Sequence, residues 1–462
     1  MLRPLPLLAL SLALLAARPT AAQPRENEPA LEGIGDLADA IVELTTRKWE
    51  GARTPAPPPS PRPAADYRLD SELAPLHVHA SARVPVPVAE AALAHLEEAA
   101  AFFDAEGWEA PLPDGSLGGS PGFDLYLTPT GALAEARSDG RELSSLLDAH
   151  LAHAVVDEGL RGDELRVAVG TAWGQAVGLR LDPAEAAGWR RATGAYLAWR
   201  WTGRFGPADG LEAIQRAPWQ PWIAAPVEPL EEPVLDDGGE GGGLLLAMLS
   251  QRHDGGSGAF VRGLWQLTRQ RTWDGIDLRA DPDLWQALEH AVDQSGQQLE
   301  AQLEDFAVAR WFLGARDGHA IFPALRGLPD AAAPTPLYEV ALADLPEHTA
   351  ASPELAPYGT VYALVDVRGH PARSRLRAWL RGEYGVEWAF SASRLDASGA
   401  ELGRLSAPPR ADDGRSYLPV ELTPDTTHVM LAATNLSHRL PDADDPDPNA
   451  RAVRMIFDLV QD

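Results

Sequence analysis

Apolar residues recur at helical spacing through the first two-thirds of the chain and switch to alternation from about Thr335. Leu93, Leu96, Ala100 and Phe103 predict a helix across Val86 to Trp108, stopped by Gly107. Phe123 to Thr128 alternates like a strand, whereas residues 141–160 fit either period. Val167 to Gly178 and Ala184 to Trp201 read as two helices joined by Asp182-Pro183, where a proline suits a helix start. Leu244 to Leu249, Phe260 to Thr272, Asp281 to Ser295 and Leu299 to Gly314 predict four more. The third of these has Asp281 as its cap and Pro282 at its first helical position. Beyond Thr335 the period is two: Leu376, Ala378 and Leu380 share one face, then Val386, Trp388 and Phe390, then Val429, Leu431 and Ala433, then Val453, Met455, Phe457 and Leu459. With Tyr338 to Leu342 and Gly359 to Val367 this makes about six or seven strands separated by turns, the spacing of an antiparallel sandwich. The expected fold class is therefore α+β, a helix-rich body over 67–330 followed by a C-terminal antiparallel β-sandwich over 331–462.

The N-terminal segment is organised differently. Arg3, the apolar run Leu5 to Ala17 and the small residues Thr20-Ala21-Ala22 read as a secretory signal over residues 1–22. The run is too short to span a bilayer comfortably, no second stretch of 18 apolar residues follows, and the mature chain is expected to have no membrane span. The expected location is periplasmic or extracellular. Residues 23–66 are polar, with a short amphipathic helix expected over Leu37 to Trp49. The stretch 53–65 carries six prolines, which favours an extended linker. Residues 202–243 read as a loop that is proline-rich, then acidic and glycine-rich.

A formal charge of −28 over 462 residues works against nucleic acid and anionic surfaces as partners, and it favours solubility. With no cysteine, disulfides, thiolate catalysis and thiolate metal sites are excluded, so packing has to stabilise the fold.

The most informative stretch is Val167 to Trp201, VAVGTAWGQAVGLRLDPAEAAGWRRATGAYLAW. Its order of helix, joint and second helix, within residues 77–315, resembles the zincin metallopeptidases of the gluzincin type. There one helix carries His-Glu-x-x-His, whose histidines at i and i+4 face one zinc with the glutamate as general base, and the next helix supplies a third ligand. The matching positions here are Gly170, Thr171 and Gly174, with Trp189, Arg190, Arg191 and Ala192 where the glutamate ligand would sit. Glycine has no side chain to bind zinc, and an arginine repels it. The resemblance thus implies a degenerate, metallopeptidase-like pseudoenzyme. An unrelated helical hairpin fits the same residues, and both readings expect no zinc here.

Other candidates are weaker. His150, His153 and Asp157 share one face on a helix, as a metal site requires, but a strand would send residues three apart to opposite faces. His77 and His79 share a strand face. Asp442, Asp444, Asp445 and Asp447 concentrate carboxylates that could hold calcium, without the glycine and distal glutamate of a helix-loop-helix site. Glu300, Glu304 and Asp305 read as a solvated helix face. Trp199, Trp201, Trp219 and Trp222 cluster near the proline-rich loop, whereas Trp265, Trp285 and Trp311 have core spacing. No catalytic residue and no cofactor are assigned. The expectation is a non-catalytic exported protein with a binding or scaffold role toward a protein or glycan ligand. The alternatives are a hydrolase with a non-standard metal or carboxylate site, and a surface adhesive module.

Overall fold

The computed structural model describes residues 53–55, 59–130, 133–205, 214–220, 239, 241–269, 277–279, 282–313, 316, 333–384, 386–410, 414–437 and 452–461. The fold is α+β. The signal segment, Leu37 to Trp49, most of 206–238 and the aspartates 442–447 lie outside the described residues.

The body is built on a five-stranded mixed sheet of order β2-β3-β4-β6-β5. Its strands are β2 (Tyr67–Asp70), β3 (Leu76–Ala80), β4 (Phe123–Thr128), β5 (Ala134–Arg141) and β6 (His150–Asp157). β3, β4 and β6 run parallel, while β2 and β5 are antiparallel edges. Residues 141–160 thus resolve into a strand, β6, with a partner, β5, whose only apolar side chains are Ala134 and Ala136. Strand alternation divides the side chains between two faces. Leu76, Val78, Leu125, Leu127, Ala152, Ala154 and Val156 face the helices α1 (Val86–Ala105) and α2 (Gly162–Leu181) and share their core. His77, His79, Asp124, Tyr126 and His153 belong to the other face.

Helix α2 is buried on nearly every side, because α1, the sheet and α3 (Ala187–Thr202) all pack on it. The α2–α3 crossing is close because it is made of glycines. A methyl group at Gly174 would stand 2.8 Å from the Cα of Gly194, and one at Gly194 would stand 2.5 Å from the carbonyl oxygen of Thr171. The Asp182-Pro183 joint does not start α3. Asp182 caps the end of α2, and α3 begins at Ala187.

Four further helices complete the body: α4 (Gly242–Asp254), α5 (Ala259–Thr268), α6 (Leu284–Gln294) and α7 (Leu299–Trp311). The cap of α6 is Asp283 rather than Asp281. Its carboxylate accepts from the Gln286 N–H at 2.8 Å, and the Gln286 side chain accepts from the Asp283 N–H at 2.9 Å. This reciprocal capping box needs a glutamine three residues into the turn, which Asp283 has.

The C-terminal region holds two sheets over one apolar core. The first, β13-β12-β15-β10-β8, uses β8 (Tyr338–Ala341), β10 (Thr360–Asp366), β12 (Trp388–Leu395), β13 (Glu401–Arg410) and β15 (His428–Asn435). The second, β14-β11-β16-β9, uses β9 (Glu347–His348), β11 (Ser374–Arg381), β14 (Arg415–Glu421) and β16 (Arg454–Gln461). Pairing is antiparallel except between β8 and β10. Phe390 and Leu431 of the first sheet meet Leu376, Leu380 and Phe457 of the second in the core.

Helix α7 joins the body to the first sheet. Val308, Trp311 and Phe312 pack against Tyr362, Leu395 and Met430, and the Tyr362 hydroxyl donates to the Ala307 carbonyl at 2.5 Å. Glu304 accepts from Ser391, and Asp305 pairs with Arg252 at 2.8 Å and Arg404 at 2.9 Å. The face expected to be wet is therefore an interface. No helix among the described residues is long and apolar enough to cross a membrane.

The described residues of the proline-rich stretch touch the body. β1 (Arg53–Pro55) pairs with β7 (Asp277–Arg279), the Ser60 N–H donates to the Ser138 carbonyl of edge strand β5 at 2.8 Å, and Pro59 lies against Gly140. Residues 59–66 form a strap on the body.

Candidate functional site

Three of the four positions expected to have lost metal ligands, Gly170, Thr171 and Gly174, lie on α2 where α3 packs against it, and the fourth, Arg191, lies beside Gly239. Gly170 and Gly174 face α3: a methyl at Gly170 would sit 3.0 Å from the Trp201 ring, and Gly174 abuts Gly194. Thr171 is buried and its hydroxyl donates back to the Val167 carbonyl at 3.0 Å. The polar group that α2 does present is Gln175, which the sequence reading passed over. Its amide accepts from the Ala136 N–H at 3.0 Å and donates to the Ala134 carbonyl at 3.4 Å, so it pairs with β5. The signal was available: Gln175 is a long polar residue inside an otherwise apolar helical run.

His150, His153 and Asp157 do not converge. All three belong to strand β6, so the helical metal-site reading is corrected: the strand sends His150 to the helix side and His153 to the opposite face. His150 Nδ1 is 2.7 Å from the Ser138 hydroxyl. Burial, helped by the Arg190 and Arg141 charges, pushes its pKa down to about 4, so the ring is neutral at pH 7. Asp157 holds a turn, accepting from the Gly159 N–H at 2.8 Å.

His153 instead joins a polar cluster on the sheet face under the strap. It lies 2.8 Å from Asp139, and His79 lies 2.8 Å from Asp124. Tyr126 stands between the two imidazoles, stacked on His79 with centroids 4.4 Å apart and edge-on to His153 at 5.5 Å. Arg62 of the strap closes the arrangement. Its guanidinium pairs with Asp124, with Asp139 and, at 3.0 Å, with Asp114, and it donates to the Tyr126 hydroxyl at 3.3 Å. The loop after Asp114 wraps the carboxylates: the Ser116 and Gly118 N–H groups donate to Asp114. A side chain at Gly118 would overlap the Asp124 carboxylate.

The electrostatics follow from burial and pairing. Burial pushes the Asp124 and Asp139 carboxyls up, but hydrogen bonds from His79, Asp114 and Arg62 to the first, and from His153 and Arg62 to the second, outweigh it and hold both below the usual range. Asp114 goes the other way, raised by burial and by the hydrogen bond it shares with Asp124. Arg62 is raised, because its carboxylate partners outweigh its burial. The arrangement grips a planar cation from several sides, which a guanidinium suits better than an ammonium. Nothing in the sequence pattern brings Arg62, Asp114, Asp124, Asp139 and His153 together, since they come from five separate segments.

A second buried pair, Asp182 and Glu185, sits at the α2–α3 joint. Asp182 accepts from the Ala184 N–H at 3.0 Å, and Glu185 accepts from Ala186 at 2.8 Å and from Leu284, the first residue of α6, at 2.7 Å. Burial raises both, Asp182 to about 8. These carboxyls fasten helix ends.

Among the described residues no group of three or more His, Asp or Glu is arranged to hold a metal ion. Asp442, Asp444, Asp445 and Asp447 lie outside those residues. Of the tryptophans near the loop, Trp199 stacks on Phe205, Trp201 lies under Arg166, and Trp219 packs on the C-terminal core, so these three form no common groove.

No protein-family model matches the sequence, and no curated protein matches it. Among solved structures, the enzymatically active domain of bacteriophage CBA120 tailspike protein 4 is similar over 23% of this chain and 15% of its own, at 10% identity and a TM-score of 0.17. A likeness that slight carries no argument about fold or function.

Proposed function

We propose that this is an exported, non-catalytic protein whose zincin-like, gluzincin-type body is a degenerate metallopeptidase scaffold, joined to a C-terminal β-sandwich and acting by binding. The observation that carries the reading is the α2–α3 crossing. Zinc peptidase chemistry needs imidazoles at i and i+4 with room for a metal and a water between the helices. Here Gly174 meets Gly194 backbone to backbone. Moving the motif by one residue, to Thr171 and Gln175, leaves no imidazole or carboxylate either, and Gln175 is already bonded to β5. Export rests on the first 22 residues.

The hydrolase alternative draws on the His79–Asp124 and His153–Asp139 pairs, which have the form of a base and its orienting acid. Against it, Arg62 is ion-paired to both aspartates. The test is metal analysis of the full chain by mass spectrometry together with casein hydrolysis with and without chelator. The reading expects far less than one zinc per chain and no chelator-sensitive cleavage. Stoichiometric, tightly held zinc would sink it.

A further inference from the structure

The four-stranded sheet of the C-terminal region turns a cationic face outward. Leu376, Ala378 and Leu380 of β11 enter the core, so the alternation of that strand sends Arg377, Trp379 and Arg381 to the other side. Arg415 and Tyr417 of β14, and Arg454 of β16, share that side by register. With Arg375, the described strand residues on this face carry five arginines against two carboxylates, Glu421 and Asp458, in a chain whose net charge is −28. Helix α7 packs on β12 and β15 of the other sheet, so the body lies across the core from this face.

The arginines are not evenly neutralised. Arg375 pairs with Glu421 at 3.3 Å, and Arg377 pairs with Asp458. Arg381 stands directly opposite Arg415 on one neighbouring strand and Arg454 on the other. The like charges of Arg381 and Arg454 in cross-strand register work against the sheet unless an anion lies between them. Arg381 and Arg454 are exposed and make no ion pair with a described residue. Beside this row lie aromatic rings. Trp379 packs on Tyr417 with centroids 5.2 Å apart, Tyr417 is 44% exposed, and Tyr384, three residues past Arg381, is 81% exposed.

We propose that this sheet face binds an acidic polysaccharide, with Arg381 and Arg454 taking its carboxylate or sulfate groups and Tyr417 taking the face of a sugar ring. The guanidinium fork matches carboxylate and sulfate oxygens, and a rigid aromatic beside it supplies apolar contact at little conformational cost. A glycan with about one charge per sugar or fewer is neutralised by a short arginine row. A nucleic acid strand, with a phosphate roughly every 3.4 Å, meets more of the repelling field of the whole chain. The inference rests on strand register alone, so zinc found in the body would leave it standing.

The test uses the full chain at low salt, titrated by calorimetry with polygalacturonate, a carrageenan of low sulfation, neutral dextran and a thymidine oligonucleotide. Binding is expected to at least one of the two acidic glycans and not to neutral dextran. The double variant R381A/R454A should weaken it about tenfold or more, the loss of roughly one good charged contact. Y417A should weaken it several-fold, and R83A on the body should leave it unchanged. A melting curve for R381A/R454A no lower than that of the parent shows that the sheet is intact. The proposal is overturned if neither acidic glycan binds, if the folded double variant binds as well as the parent, or if the oligonucleotide binds more tightly than the glycans.

Discussion

Replacing Arg62 by alanine removes the one cation shared by Asp114, Asp124 and Asp139 and should destabilise the body more than any other change in the strap. The Arg62 side chain is 14% exposed and its three partners are 0–2% exposed, so little solvent screening applies. Removing one partner of such a pair costs about 3–5 kcal/mol, because the remaining charge is left buried. The contacts of His79 with Asp124 and of His153 with Asp139, both 2.8 Å, persist without Arg62 and offset part of this, which places the expected loss toward the lower end. In a body of this size each kcal/mol shifts the melting point by about 2–4 °C, so the R62A transition should fall by roughly 6–12 °C at pH 7.

The pH dependence identifies the cause. Asp124 and Asp139 have folded pKa values below their unfolded ones, so their stabilisation is complete above the ordinary carboxylate pKa and is lost as the pH falls through the depressed values. Arg62 supplies part of that depression, beside His79, Asp114 and His153, so the gap between parent and variant should narrow only as the pH falls below the ordinary carboxylate pKa and through the depressed values. Millimolar guanidinium, but not sodium, should restore part of the melting point, and R62K should recover only part because an ammonium cannot fork to several carboxylates. Melting curves by circular dichroism at pH 7 and at about pH 2 are sufficient. A shift under about 2 °C at pH 7, or an equal penalty at both pH values, would refute the account, since a neutral packing defect titrates with nothing.

Two further outcomes follow from the buried carboxyls and the glycine crossing. Asp182, raised to about 8, stays protonated in the fold while the unfolded carboxyl ionises, so the parent should lose stability as the pH rises from the unfolded carboxylate pKa to pH 8. D182N keeps the acceptor for Ala184 and cannot ionise. Denaturant titrations should show it gaining on the parent from pH 5 to pH 8, and an unchanged difference would refute the assignment. G174A should lose about 1–3 kcal/mol despite alanine's better helix propensity, because the added methyl meets backbone that cannot yield. A stabilised G174A would mean that the two helices are not in contact there.

How much of this was legible in the sequence depended on whether a single periodic signal carried it. Helix α1, with Leu96, Ala99 and Phe103 on its buried side, and strand β11, with Leu376, Ala378 and Leu380, each bury one face of one element, and their spacing announced them. β5 did not announce itself. The only apolar side chains of AEARSDGR are Ala134 and Ala136, too small a signal for a strand, and it is a strand because β6 offers a free edge. Glu304 and Asp305 looked solvated because a helix with acids on one side usually is. Here Arg404 and Ser391 lie on β13 and β12, and only the tertiary contact shows it. The Arg62 cluster is the extreme case, since its three ion-paired partners come from a loop and two different strands and follow no periodic spacing.

The glycines of α2 were visible but were read for what they lack rather than for what they permit. Gly170, Gly174 and Gly178 stand four apart, a row of absent side chains along one helix face. Each meets α3 at contact distance: Trp201 and Ala198 at Gly170, Gly194 at Gly174, and Arg190 at Gly178. Loss of ligands alone would leave a vacant site that two histidines and a glutamate could restore. A closed crossing leaves no such site, because an imidazole at position 174 needs the volume that the α3 backbone occupies. The inert-scaffold reading therefore rests on steric closure more than on missing chemistry. It requires that histidines placed at 170 and 174, with glutamate at 171, disrupt the helix pair before they bind zinc.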